Sequence, residues 1–263
     1  IRVTQFQERT GEDLAKALKK LRKENKFAFN GIILDMRNNP GGLLNSSVAV
    51  SAAFLKEGDL VVYTEGRAAD SKMNLTTAPE NFVRNDPSKN NFLKDLPPDI
   101  KDSPMVVLIN NGSASASEIV AGALQDHKRA LIVGTTSFGK GSVQSILPMM
   151  NGTAIKLTTA RYFTPNGRSI QAKGIEPDVI VEDGMESFAM READLNNRLS
   201  NPNDEKSKTD NTNPNTSETK DGPTGDGAEA LRNFKPIRFG EKDDKQFVEA
   251  LNILKGIDLY QKN

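Results

Sequence analysis

The chain reads as an α/β protein: a layered core with a largely parallel sheet, a β-rich second half and a C-terminal helix. Three observations predict this. In the first half, strand-like and helix-like periodicities alternate, the pattern of parallel strands joined by crossover helices. Between residues 142 and 181, period-two alternation replaces helical spacing. Near the end, Phe247, Leu251, Leu254 and Ile257 recur at the spacing of one helix face.

Taken in order, Ile1-Arg2-Val3-Thr4-Gln5-Phe6 alternates apolar and polar residues as a strand does. Thr10 precedes Leu14, Leu18 and Leu21, the apolar stripe of an amphipathic helix whose basic run over 16–26 forms the wet side. Gly31-Ile32-Ile33-Leu34-Asp35-Met36 is a nearly continuous apolar run, typical of a buried strand. Beyond the turn Asn38-Asn39-Pro40-Gly41-Gly42, residues 43–55 read as a helix rich in small side chains. Residues 60–64, 105–110 and 130–133 are further strands, with a helix over 115–126. Residues 67–104 are polar, carry Pro79, Pro87, Pro97 and Pro98, and read as a long loop or insertion. In the β-rich half, Ala154 to Phe163 alternates with threonine, and a Pro165-Asn166-Gly167 turn leads to a strand pair ending at Val181.

This partitions the chain into a core over 1–183, a helical extension over 184–199, a linker over 200–227 and a C-terminal helical segment over 228–263. The linker has no aliphatic, aromatic or methionine residue, so it cannot bury enough surface to offset its ordering entropy and is expected to be disordered. The helix over 246–259 must pack on something. Either it folds back on its own core, or it mediates a homo-oligomer or binds an adaptor with the linker as tether.

The 263 residues allow one large domain or one domain with attachments. Lys+Arg and Asp+Glu are equal at 35 each, which excludes a nucleic-acid binder held by phosphate neutralisation. No apolar run reaches the length needed to cross a bilayer. The chain begins with a strand-like segment, without Met or a signal pattern, and is expected to be a fragment or a processed form. Without cysteine there are no disulfides or thiolate metal sites, which suits either the cytoplasm or an oxidising envelope. With a single histidine and no acidic ligand spacing, no metal or cofactor is expected. His127 stands at the polar exit of a helix and reads as structural.

One histidine also makes a histidine-based triad hard to build, so a nucleophilic serine must find its base elsewhere. Ser115 begins a helix in Ser115-Ala116-Ser117-Glu118. It has the form of a capping box, and equally of a nucleophile at the positive end of a helix dipole, with the Ala116 amide placed to stabilise an oxyanion. Lys140, between Gly139 and Gly141, reads either as an exposed turn charge or as a general base, which has to be neutral to work. The spacing around Gly134 does not meet that of a phosphate-binding loop. The Pro40-Gly41-Gly42 turn is an ordinary strand-to-helix connection, or a place where a backbone N–H can approach a reacting carbonyl.

Together, Asp35-Met36-Arg37-Asn38-Asn39-Pro40-Gly41-Gly42, Gly112-Ser113-Ala114-Ser115-Ala116-Ser117-Glu118-Ile119 and Phe138-Gly139-Lys140-Gly141-Ser142-Val143-Gln144 resemble the C-terminal processing peptidases, or tail-specific proteases. Gly167-Arg168-Ser169-Ile170 and Gly174-Ile175-Glu176-Pro177-Asp178 fit as well, in family order over 1–181. The resemblance implies a crotonase/Clp-protease-like core and a Ser-Lys dyad of Ser115 and Lys140, with Gln144 orienting the lysine. It implies an oxyanion hole from Ala116 and one glycine of the turn, Gly41 favoured over Gly42. It further implies a serine endopeptidase acting on protein or peptide substrates near their C-termini, in the bacterial envelope, expected in the periplasm. Family members usually carry a PDZ domain before the first strand, and it is absent from this sequence. Two other readings remain open at this point: a catalytically silent peptide-binding or assembly form of the fold, and a crotonase-like acyl-CoA enzyme.

Overall fold

The computed structural model describes residues 1–25, 27–67, 71–182, 190–196, 198–203 and 238–261. Helix α1 (Thr10–Glu24) buries Leu14, Ala15 and Leu18 on one face, with Glu12 and Asp13 in its first turn and Arg22 and Lys23 in its last, as the dipole favours. Strand β1 (Ile32–Asp35) leads through the glycine turn into α2 (Leu44–Ala52), and β2 (Leu60–Gly66) is followed by β3 (Met73–Thr76). Short helices α3 (Pro87–Asn90) and α4 (Asp99–Asp102) precede β4 (Met105–Ile109) and the long helix α5 (Ala116–Asp126). Then come β5 (Leu131–Gly134), β6 (Ser142–Pro148), β7 (Ala154–Phe163), β8 (Val179–Ile180) and the last helix α6 (Lys245–Gln261).

Among the described residues the strands form two sheets. One runs β1-β4-β5-β8 and is parallel throughout; the other runs β3-β2-β7-β6 and is antiparallel. The expected parallel sheet is therefore present, but β2 does not join it. It turns back on β3, its neighbour in sequence, and pairs with β7 from the β-rich half. Residues 1–6 do not form a full strand: they make two isolated parallel bridges, Arg2 with Asp35 and Phe6 with Gly42.

All of β4 is buried, and its alternate residues serve two cores. Val107 and Ile109 face the main core with Leu34, Ile119 and Val120, while Val106 and Leu108 face α6. Helix α6 buries Ala250 and Leu254 there, so it takes the fold-back option rather than standing free for a partner. Each fully buried valine, leucine or isoleucine among these contributes about 1.5–3 kcal/mol relative to exposure.

Residues 67–104, read as a long loop or insertion, contain regular elements among the described residues. They hold β3, a 3₁₀ turn at Pro79–Asn81 and two short helices, because Phe82, Val83 and Ile100 supply apolar anchors among the polar residues. Of the extension expected over 184–199, the described part contains the 3₁₀ turn Glu192–Asp194. The linker lies outside the described residues from 204 on. Its first residues are tied down, since the Asn201 side-chain amide donates to the carbonyls of Ser169 and Gln171 at 3.2 and 2.7 Å.

Candidate active site

The end of β4 and the start of α5 meet in a tight turn that presents Ser115. Ser113 Oγ donates to the Met36 carbonyl at 2.8 Å and accepts the Asn110 N–H at 3.0 Å, pinning the turn to the end of β1. Ser115 follows with φ 54° and ψ −111°, a conformation that non-glycine residues rarely adopt. Such strain costs about 1–3 kcal/mol and persists only where the surroundings over-determine it.

The residue that does so is Glu118. Its Oε2 accepts the Ser115 N–H at 2.7 Å and the Lys140 N–H at 2.9 Å; its Oε1 accepts Ser137 Oγ at 2.6 Å and the Gly139 N–H at 2.7 Å. One oxygen thus joins the backbones of Ser115 and Lys140, whose nitrogens can be no further apart than these two bonds laid end to end. Glu118 is fully buried, and burial pushes its carboxyl up to about 7, with the donors from Ser137, Gly139, Ser115 and Lys140 opposing a larger rise. The sequence motif pointed to Glu118 only as half of a capping box. Its reach to the second loop was invisible there.

Around Ser115, two amides are unspent among the described residues. Ala116 opens α5, where a backbone N–H has no intrahelical acceptor and the dipole is positive. In the glycine turn, the Gly41 N–H donates to Asn39 Oδ1 at 2.9 Å, whereas the Gly42 N–H makes no bond. The turn lies against the serine: a Cβ on Gly41, at φ 96°, would stand 2.6 Å from the Ala114 carbonyl and 2.9 Å from Ser115 Cβ and from the Ala116 nitrogen. A Cβ on Gly42, at φ 144°, would stand 2.0 Å from the Phe6 carbonyl oxygen. Asn39 binds the two halves together, its carbonyl accepting the Ala114 N–H at 3.0 Å and Ser117 Oγ at 2.9 Å.

Lys140 is half-buried and makes no ion pair among the described residues. Its loop is held by Glu118, by the Gln171 side chain, whose Oε1 accepts the Gly141 N–H at 3.1 Å, and by β7, where the Tyr162 N–H donates to the Gly141 carbonyl at 2.8 Å. No hydrogen bond joins Ser115 Oγ to Lys140 Nζ. The Tyr162 phenol neighbours the Ser115 hydroxyl: burial pushes the phenol up, and the serine contact draws it back. Tyr162 carried no sequence signal beyond its place in the threonine-rich strand. Gln144 is exposed on β6, just past an irregularity between Val143 and Gln144, and no hydrogen bond brings it to Lys140. His127 sits at the exit of α5 with Nε2 2.7 Å from the Leu60 carbonyl, a tie between helix and β2. Among the described residues, no His, Cys, Asp and Glu cluster is arranged to hold a metal ion.

This geometry can be set beside known proteins. The profile of peptidase family S41 matches residues 1–181. The carboxy-terminal-processing protease of Bartonella bacilliformis is 48% identical over 183 residues, which is 69% of this chain and 38% of that protein. The solved photosystem II D1 C-terminal processing protease is similar at a TM-score of 0.54 and 33% identity, over 69% of this chain and 41% of that one. A putative S41 protease from Bacteroides fragilis shares the fold at a TM-score of 0.58 and 16% identity, over 97% of this chain and 53% of that one. The chain spans about two-fifths of the length of the curated relative it matches. With a matched profile over most of its length and a relative at this identity, the chain belongs to peptidase family S41.

Proposed function

We propose that this chain is the catalytic unit of a serine endopeptidase that cleaves proteins near their C-termini, with Ser115 as nucleophile and Lys140 as general base. The observation that carries the reading is the single carboxylate oxygen of Glu118 that ties the strained Ser115 to the Lys140 loop. The hydroxyl turns from Tyr162 toward the Lys140 amine, gives up its proton to it and attacks the scissile carbonyl. The Oγ–C bond forms as the carbonyl becomes an oxyanion, which the Ala116 and Gly42 amides stabilise. Collapse expels the amine, which takes its proton from Lys140. Water, deprotonated by the Lys140 amine, then attacks the acyl carbon; the Ser115 Oγ–C bond breaks and Oγ regains the proton from Lys140.

Gly42 replaces Gly41 as the favoured second donor, because the Gly41 N–H is already spent on Asn39. Gln144 would have to turn inward to orient the lysine. Substrate adds in extended form beside the cleft. Bacterial envelope placement, in the periplasm, and regulation by a PDZ domain follow from the resemblance alone; no helix among the described residues is long and apolar enough to cross a membrane. Self-association or an adaptor at α6 is confined to the face that remains exposed, where Leu259 and Tyr260 lie.

The test is cleavage of an unstructured polypeptide with an apolar C-terminus, followed by mass spectrometry. The wild type is expected to give discrete fragments, Ser115→Ala and Lys140→Ala none, with folding intact. Cleavage by either variant at the wild-type rate would remove the assignment.

A further inference from the structure

A buried ion cluster joins the C-terminal segment to the glycine turn. Arg37 is 1% exposed, and all five of its guanidinium donors are used. Nε and Nη2 bond Asp35 at 3.0 and 2.8 Å; Nη1 and Nη2 bond Asp244 at 2.7 Å each; Nη1 also bonds Gln246 Oε1 at 3.1 Å. The Phe239 ring lies 4.8 Å from the Arg37 guanidinium carbon and 3.4 Å from that of Arg2. Asp244 at the same time closes its own turn, accepting the Gly240 N–H at 2.8 Å and the Phe247 N–H at 3.1 Å. Gln246 Nε2 donates to the Val181 carbonyl at 2.8 Å.

Arg37 is the first residue of the path into the turn. Its N–H is held by Asp35 Oδ1 at 3.0 Å, Asn38 follows at φ 55°, and Asn39 then carries the bonds to Ala114, Ser117 and Gly41. A buried guanidinium that loses the Asp244 carboxylate, the acceptor of two of its five hydrogen bonds, must move or draw in water, and the turn begins at that point. The carboxylate that completes it comes from residues beyond the 1–181 that match the family. We propose that the segment 238–247 is a clasp that sets the position of the glycine turn, with Asp244 and Arg37 as positioning residues. The functional consequence rests on the reading of that turn as the oxyanion side; the clasp itself does not.

The experiment uses the full chain and compares Asp244→Asn with Leu254→Ala, which loosens α6 without touching the cluster. Hydrogen exchange of the amides over 38–43 is expected to quicken about tenfold in Asp244→Asn and to stay at the wild-type rate in Leu254→Ala. On a peptide substrate, kcat should fall about tenfold in Asp244→Asn, KM should change little, and Leu254→Ala should keep the wild-type kcat. Arg37→Lys keeps the charge but lacks the planar fork, and is expected to quicken exchange of the same amides; it decides the matter if the asparagine variant does not fold. Wild-type exchange over 38–43 in a folded Asp244→Asn or Arg37→Lys overturns the clasp. A wild-type chain that cleaves nothing overturns the peptidase reading, and the exchange comparison still decides the clasp.

Discussion

Replacing Glu118 with glutamine tests whether one buried carboxylate holds the candidate site together. Both oxygens accept two donors each, and three of the four donors are backbone N–H groups that cannot turn into acceptors. If the new NH₂ takes the place of Oε1, Ser137 Oγ can accept from it, but the Gly139 N–H is stranded. If it takes the place of Oε2, both the Ser115 and Lys140 N–H groups are stranded. At least one buried donor is lost either way, at about 1–3 kcal/mol. If that falls wholly on the reactive arrangement, kcat/KM drops by about 5- to 150-fold. Titration gives a second readout. Burial raises this carboxyl from 4.5 in the unfolded chain to about 7, so the native state holds its proton to higher pH than the unfolded state does. Wild-type stability therefore falls as pH rises from about 4.5 to about 7, by on the order of 3 kcal/mol, and levels off above. Glutamine does not titrate, so that slope should vanish. Urea unfolding across this pH range and peptide cleavage at a fixed pH read the two effects. A Glu118→Gln protein with wild-type kcat/KM and an unchanged slope would refute the reasoning.

Other perturbations follow from the same geometry. Tyr162→Phe removes the phenol at the Ser115 hydroxyl; kcat is expected to change several-fold while the fold is retained, and steady-state kinetics on a fluorogenic peptide reads it. Gly42→Ala forces a Cβ onto the Phe6 carbonyl at φ 144°, so both the thermal midpoint and activity should fall; a variant with the wild-type midpoint shows that the turn has slack. Phe82→Ala tests whether 67–104 is folded rather than loop, with an expected loss of about 3–5 kcal/mol in chemical denaturation, against almost none for a solvated loop. The Asp244 carboxyl, held low by Arg37 against its own burial, gives stability that is present at neutral pH and is lost as pH falls below the ordinary aspartate range.

The elements themselves were largely legible. Leu14 and Leu18 sit on one face of α1, and the apolar runs around Leu34 and Val107 became buried parallel strands, because burial on one face or both imposes the periodicity that a sequence displays. The folded elements within 67–104 were not legible, because Phe82, Val83 and Ile100 are sparse anchors with no regular spacing, and because a hairpin partner for β2 depends on pairing, not on local pattern. Serine, lysine and the paired glycines stood out as motifs. What each does with its hydrogen bonds did not: Gly41 and Gly42 are chemically alike in the chain, and only the Asn39 side chain tells them apart. Glu118 looked like a local cap, since a capping box involves residues three apart, whereas its other bonds reach Ser137, Gly139 and Lys140.

Sequence alone determined the family, the order of the elements and the residue types able to act, because those are written in short-range pattern and motif. Tertiary structure decided that the Ser115 and Lys140 loops share one carboxylate oxygen, that the serine hydroxyl rests against Tyr162, and that Asp244 closes over Arg37. Each of those is a contact between residues far apart in the chain. Which donor finds which acceptor is settled only when packing brings them within about 3 Å and removes the water that would otherwise serve them.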